Sequence, residues 1–156
     1  MKPVNVTLTS RLIAGVSKVT SNAQEMDYEE AKIPVLWREY FQSSVLNPLP
    51  NEVEDAPPYA VYYGYEEGMH GEYSVLVGTE VSSTNGLDKE YYKSVNLEAG
   101  EYLRFDAKGE MPMIVIETWQ QIWRYFAKAE APKRAFKTDF EVYTGEDEFS
   151  IYIGIQ

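Results

Sequence analysis

Residues 11–19, an apolar run bounded by polar positions, read as a strand with Gly15 near its centre, and Thr20-Ser21-Asn22 supplies a turn. The period then changes. Ile33, Leu36, Trp37, Tyr40, Phe41 and Ser44 fall on one face at helical spacing, and Asp27 with Glu30 three residues later has the arrangement of a capping box. Pro34 interrupts this pattern, so the helix either kinks there or begins there with proline as its first residue. Residues 47–58 carry four prolines and three acidic residues and read as a loop. Residues 59–65 and 72–81 read as the strands of a hairpin.

After a polar, turn-forming stretch at 82–90 that includes Asn85-Gly86, the same programme returns. Residues 91–97 and 101–107 are extended. Pro112 can open a second helix, on which Trp119, Ile122, Trp123 and Phe126 stand at i, i+3, i+4 and i+7. Residues 140–143 and 149–155 are strands around the acidic turn Gly145-Glu146-Asp147-Glu148. Three short matches tie the halves together: Ala14-Gly15 with Ala99-Gly100, Trp37-Arg38 with Trp123-Arg124, and Tyr73-Ser74-Val75-Leu76-Val77-Gly78 with Phe149-Ser150-Ile151-Tyr152-Ile153-Gly154. The expectation is one α+β domain over residues 1–156. It is built from a duplicated strand-helix-strand-strand unit, about 5–81 and 91–156 with the junction at 82–90. An extra extended segment belongs near the amino terminus or the junction. Such a fold is mainly antiparallel sheet with two helices, has pseudo-two-fold symmetry, and holds a ligand cleft between its halves.

Composition narrows the function classes. The 156 residues include no cysteine, which excludes thiolate metal sites, a Cys nucleophile and disulfides, and fits a reducing, cytoplasmic setting. No stretch approaches the length of a membrane span, and the first residues lack a signal-peptide core. A net charge of −11 disfavours direct contact with nucleic acid or anionic lipid and favours cationic partners, although solubility alone also accounts for it. Thirteen Tyr, six Phe and three Trp exceed what a small core needs, so some of them are expected to line a site.

Glu141 is the leading candidate for chemistry. In Phe140-Glu141-Val142-Tyr143 the two apolar residues share one face and Glu141 with Tyr143 the other, so if Phe140 and Val142 pack on a helix, Glu141 faces outward or into a crevice. A carboxylate that loses water there either raises its pKa or awaits a cation. An exposed strand glutamate is the commoner case. Trp37, Trp119 and Trp123 lie on apolar helix faces, where core packing explains them, yet a ring at the edge of a core can offer its other face to a ligand. Tyr59, Tyr62, Tyr63 and Tyr65 share one strand and point to both its faces. The single histidine, His70, lies in a turn and leaves no second imidazole for a dyad or a His-rich metal site. The acidic turn at 145–148 lacks the spacing of a calcium loop, and there is no phosphate-loop, dinucleotide or nucleophile-elbow motif, so no metal and no cofactor is expected.

Taken in order, residues 16–22, Leu36-Trp37, Tyr62-Tyr63-Gly64-Tyr65-Glu66, the run 71–81, Ala99-Gly100-Glu101-Tyr102, Trp119-Gln120-Gln121-Ile122-Trp123 and Asp139-Phe140-Glu141-Val142-Tyr143 resemble the GyrI-like (gyrase-inhibitor-like) effector-binding domain family. The resemblance is closest to its stand-alone, integron-cassette members and spans the chain from about residue 11 to the end. It implies a central cleft that binds hydrophobic, often cationic, drug-like compounds. It also implies a cleft glutamate at Glu141, a helix-borne cleft tryptophan at Trp123, and further walls from Tyr63 or Tyr65. The binding set implied is therefore Glu141, Trp123, Trp119, Trp37, Tyr63, Tyr65 and Tyr143. In related transcription regulators the domain is joined to a DNA-binding module, for which this chain has no room, so a separate transcription regulator or DNA gyrase is the protein partner the resemblance allows. Some members resemble hydrolases that open strained, electrophilic cyclopropanoid compounds with a Glu and a Tyr, which makes hydrolysis at Glu141 the alternative to binding.

Overall fold

The computed structural model of the protein describes residues 2–27, 29–66 and 71–156; His70 and most of the expected hairpin turn lie outside the described residues. In chain order the elements are β1 (Val4–Leu8), β2 (Arg11–Ser21), α1 (Asn22–Met26), α2 (Ile33–Leu46), β3 (Pro58–Tyr63) and β4 (Glu72–Glu80). They are followed by β5 (Lys93–Leu97), β6 (Gly100–Lys108), α3 (Met113–Phe126), β7 (Thr138–Tyr143) and β8 (Glu148–Gly154). The strands form one antiparallel sheet in the order β1-β6-β8-β7-β3-β4-β2-β5.

That order is symmetric about the β3–β7 pair. Moving outward, β4 matches β8, β2 matches β6, and β5 matches β1. Each half is a strand-helix-strand-strand unit whose leading extra strand pairs with the other half: β1 lies against β6 and β5 against β2. Both expected places for the extra segment are used, because each half supplies the edge strand of its partner. The ladders also correct one register. Gly15 lies opposite Gly78, whereas Gly154, the equivalent of Gly78 in the matching runs, lies opposite Tyr102. Gly15 therefore corresponds to Tyr102 rather than to Gly100. The reason is steric: a Cβ at Gly15 would fall on the Val77 carbonyl oxygen and one at Gly78 on that of Ala14, so this crossing demands two glycines.

α2 begins at Ile33 with Pro34 in its first turn, the second of the two readings of that proline. Asp27 and Glu30 form no capping box. Asp27 instead ends the five-residue helix α1, a third helix beyond the two expected, and its Oδ1 accepts from the Glu29 N–H. The orphan donors of α2 go to Glu25, which accepts from the backbone N–H of Lys32 at 2.9 Å and of Ile33 at 3.1 Å and is itself held by the Thr20 hydroxyl.

The sheet buries both faces. On one, Leu36 and Tyr40 of α2 cover Ala14, Val16, Ala60, Tyr62, Val75 and Val77, while Ile122 of α3 sits on Leu103, Phe105, Phe149, Ile151 and Ile153. On the other, Ile13, Tyr59, Val61, Leu76, Phe140 and Val142 are covered without a helix, by curling that brings Leu97 of β5 and Val6 and Leu8 of β1 over them. Phe140 and Val142 thus pack away from the helices, and it is Glu141 that faces them. Among the described residues no helix is long and apolar enough to cross a membrane.

Candidate functional site

The central pair of strands places one face of five side chains beneath the two long helices: Ala60 and Tyr62 from β3, and Asp139, Glu141 and Tyr143 from β7. Glu141 is 1% exposed. Its Oε2 accepts from the Tyr62 hydroxyl at 2.8 Å and from the Trp119 indole N–H at 2.6 Å, and its Oε1 accepts from the Tyr143 hydroxyl at 2.6 Å. Tyr62 lies opposite Val75 and Glu141 opposite Ile151, which hold the same place in the two matching runs. The carboxylate and its phenol donor are therefore equivalent positions of the repeat, meeting across its axis.

All three donors are neutral, and among the described residues no Lys or Arg pairs with Glu141. Burial pushes its pKa above the ordinary carboxylate value, opposed by the hydrogen bonds from Tyr143, Trp119 and Tyr62. Burial also holds the Tyr62 and Tyr143 hydroxyls well above the phenol range, reinforced by the adjacent carboxylate, so both remain donors. The arrangement is a dehydrated carboxyl group held by neutral donors, with no charged partner among the described residues.

Aromatic rings close over it. Trp119 lies edge-on to Tyr62 with centroids 5.3 Å apart, and Trp37 from α2 lies edge-on to Tyr143 at 5.0 Å. Trp123 stands next to Trp119 at 6.3 Å and makes no bond to the carboxylate, so the tryptophan that reaches Glu141 is Trp119. Cavities of about 690 and 460 Å³ occur beside β2 and beside the start of β6, and neither is lined by Glu141. Outside the rings, apolar side chains remain in water, including Phe41, Val45 and Leu46 on α2 and Met113 and Ile116 on α3.

The strand tyrosines separate. β3 ends at Tyr63, which packs on the helix-free face and shares a hydrogen bond of 2.9 Å with Ser17. Gly64 then takes a positive φ of 65°, which swings Tyr65 onto the helix face instead of leaving it beside Tyr63. Tyr65 does not meet Glu141: its hydroxyl donates to Asp139 Oδ2 at 2.5 Å. Asp139 is fully buried and has its own cation, Arg134, at 2.7 Å, with the Gly154 N–H on its other oxygen at 2.8 Å. The guanidinium lies over the Phe136 ring at 4.4 Å and within 6.0 Å of the Tyr65 and Phe126 centroids.

Sequence reasoning did not select Tyr62, Asp139 or Arg134 for the site. Asp139 was within reach of the period of two that placed Glu141. Tyr62 needed the register of β3 on β7. Nothing local marked Arg134.

The fold is thus a curled antiparallel sheet with a buried, ring-covered glutamate beside the axis of its duplication. Residues 6–155 match the Cass2 family, described as integron-associated effector binding proteins, and the chain belongs to that family. It is 34% identical over 137 residues to YobU of Bacillus subtilis (strain 168), whose name only suggests a transcriptional regulator protein, covering 87% of this chain and 82% of that one. The integron cassette protein VCH_CASS2, from the mobile metagenome of Vibrio cholerae, superposes with a TM-score of 0.84 at 30% identity, covering 99% of this chain and 96% of the other. The structure of SAV2435 bound to tetraphenylphosphonium shares the fold, with a TM-score of 0.78 at 19% identity over 100% of this chain and 94% of that one.

Proposed function

We propose that this effector-binding protein takes up a hydrophobic organic cation, with its charge at Glu141 and its apolar body between Trp37 and Trp119. The observation that carries the reading is the Glu141 carboxylate, taken out of water and given three neutral donors but no cation. A ligand cation in that position supplies the opposite charge in a region of low dielectric, and each well-placed ring adds roughly 0.5–2 kcal/mol. The tetraphenylphosphonium found on SAV2435 is a ligand of this chemistry, and the chain's net charge of −11 favours the approach of cations.

Because the rings already cover the carboxylate, binding requires the Trp119 indole to leave Oε2 and the helix faces to part. The exposed apolar residues on α2 and α3 then form the mouth through which a greasy ligand passes. Hydrolysis by a Glu141–Tyr143 pair uses the same atoms, but both carboxylate oxygens are engaged by side-chain donors, which favours binding over activation of a water.

Calorimetric titration with tetraphenylphosphonium, followed in parallel by tryptophan fluorescence, tests the proposal. Wild-type protein is expected to bind with quenching, and Glu141→Gln to lose about 30-fold or more in affinity, the cost of removing one member of a buried charge pair. Equal affinity in the two proteins would overturn the role given to Glu141.

A further inference from the structure

The cavity of about 690 Å³ has a different character from the Glu141 site. Its wall includes Lys18, Lys89 and Lys93, several hydroxyls such as Ser17 and Tyr63, apolar surface from Leu87, and no acidic residue, in a chain where Asp and Glu outnumber Lys and Arg 25 to 14. Lys18 is held by Glu39 at 3.0 Å, but Lys89 and Lys93 form no ion pair among the described residues.

The wall is also an open strand edge. The pairing of β2 with β5 stops at Gly15 opposite Lys93, while β2 continues to Ser21, and three successive residues, Ser17, Lys18 and Val19, line the cavity. Side chains alternate across a strand, so three in a row place its backbone in the wall. The Leu12 carbonyl accepts from Val81 on the β4 side, and alternation therefore turns the amides of Ser17 and Val19 the other way, toward the gap. The Val19 carbonyl confirms that direction by accepting the Lys32 ammonium at 2.8 Å. Two backbone N–H donors, beside the carbonyls of the same residues, thus point into a space flanked by Lys89 and Lys93, which form no ion pair among the described residues.

We propose that this edge cavity is a second ligand site, selective for small organic anions with an apolar body, on the far side of β3 from the cation site. Lys89 and Lys93 supply charge, the Ser17 and Val19 amides and nearby hydroxyls supply directed donors, and Leu87 supplies apolar contact. The two sites share strand β3, where Tyr62 faces one and Tyr63 the other.

Tetraphenylborate and tetraphenylphosphonium have nearly the same shape and opposite charge, so the pair separates the sites. In calorimetric titrations of the full chain in sodium buffer, Lys89→Gln combined with Lys93→Gln is expected to weaken tetraphenylborate about tenfold and leave tetraphenylphosphonium unchanged. Glu141→Gln is expected to leave tetraphenylborate unchanged. Both lysines are exposed, and far-ultraviolet circular dichroism checks that the double variant folds. The proposal is overturned if tetraphenylborate fails to bind, if it binds the double variant as tightly as the wild type, or if Glu141→Gln weakens it as much as the lysine pair does.

Discussion

Asp139 and Glu141 stand two residues apart on the same face of the same strand, both buried and both among aromatic rings, yet only one has a cation. Asp139 is neutralised by Arg134, whose guanidinium lies against Phe136, Tyr65 and Phe126, and it ties Gly154 and the carboxyl-terminal segment to the sheet. Glu141 sees two phenols and an indole. The first is a finished ion pair in an aromatic cage. The second has the same parts with the positive charge left out. Arg134 shows what occupant the cage around Glu141 would suit: a delocalised cation that stacks on rings while it meets a carboxylate. Removing half of the Asp139 pair should therefore damage the fold, whereas neutralising Glu141 should damage ligand binding.

The largest effect is expected from Arg134→Met, which strands a buried charge on Asp139. It should lower stability by about 3–5 kcal/mol in urea denaturation, with much of the loss recovered when Asp139→Asn is added. Full stability in the single variant would remove the distinction between the two carboxylates. Glu141→Gln should do the opposite, raising stability by about 1 kcal/mol at a pH above the folded-state pKa of Glu141, because an amide sits among the same hydroxyls without the cost of a buried charge.

The pH dependence follows from the direction of the Glu141 shift. Burial raises its folded-state pKa above the ordinary value of 4.5, so its favourable contribution is fully present below the unfolded-state pKa, where the group is neutral in both states. That contribution is lost as pH rises through the folded-state value. The stability gap between Glu141→Gln and wild type should therefore open with rising pH. Over the same range wild-type affinity for tetraphenylphosphonium should climb by up to about tenfold per pH unit, then level off, while the variant stays flat. A flat wild-type profile would show that the bound cation does not sense this carboxylate.

Trp119→Phe keeps a ring and removes one donor. A change of about 1–2 kcal/mol, smaller than that of Arg134→Met, is expected in stability, with the Glu141 pKa moving further up, measurable by the pH at which cation binding levels off. The smallest effect belongs to Tyr63→Phe. It removes only the Ser17 hydrogen bond on the opposite face, so cation affinity should remain within about twofold of wild type. A larger loss would place Tyr63 in the cation site after all.

Local pattern determined a good deal about this protein. The period of two put Glu141 and Tyr143 on one face of β7, the helical period put Trp37 and Trp119 on apolar faces, and the matching runs of β4 and β8 revealed the duplication, because these are properties of neighbouring residues. Tertiary structure decided the rest. Which face of β7 the helices cover, that Tyr62 rather than Tyr63 meets Glu141, and that Asp139 acquires Arg134 while Glu141 acquires no cation all depend on the register of β3 on β7 and on the curl of the sheet. A register shifted by one residue exchanges the two faces of a strand without altering its sequence pattern, and a partner brought in from another element leaves no periodic trace. The left-handed turn at Gly64 belongs with these: any residue pattern is compatible with a strand through it, and only the packed chain shows that Tyr65 has changed sides.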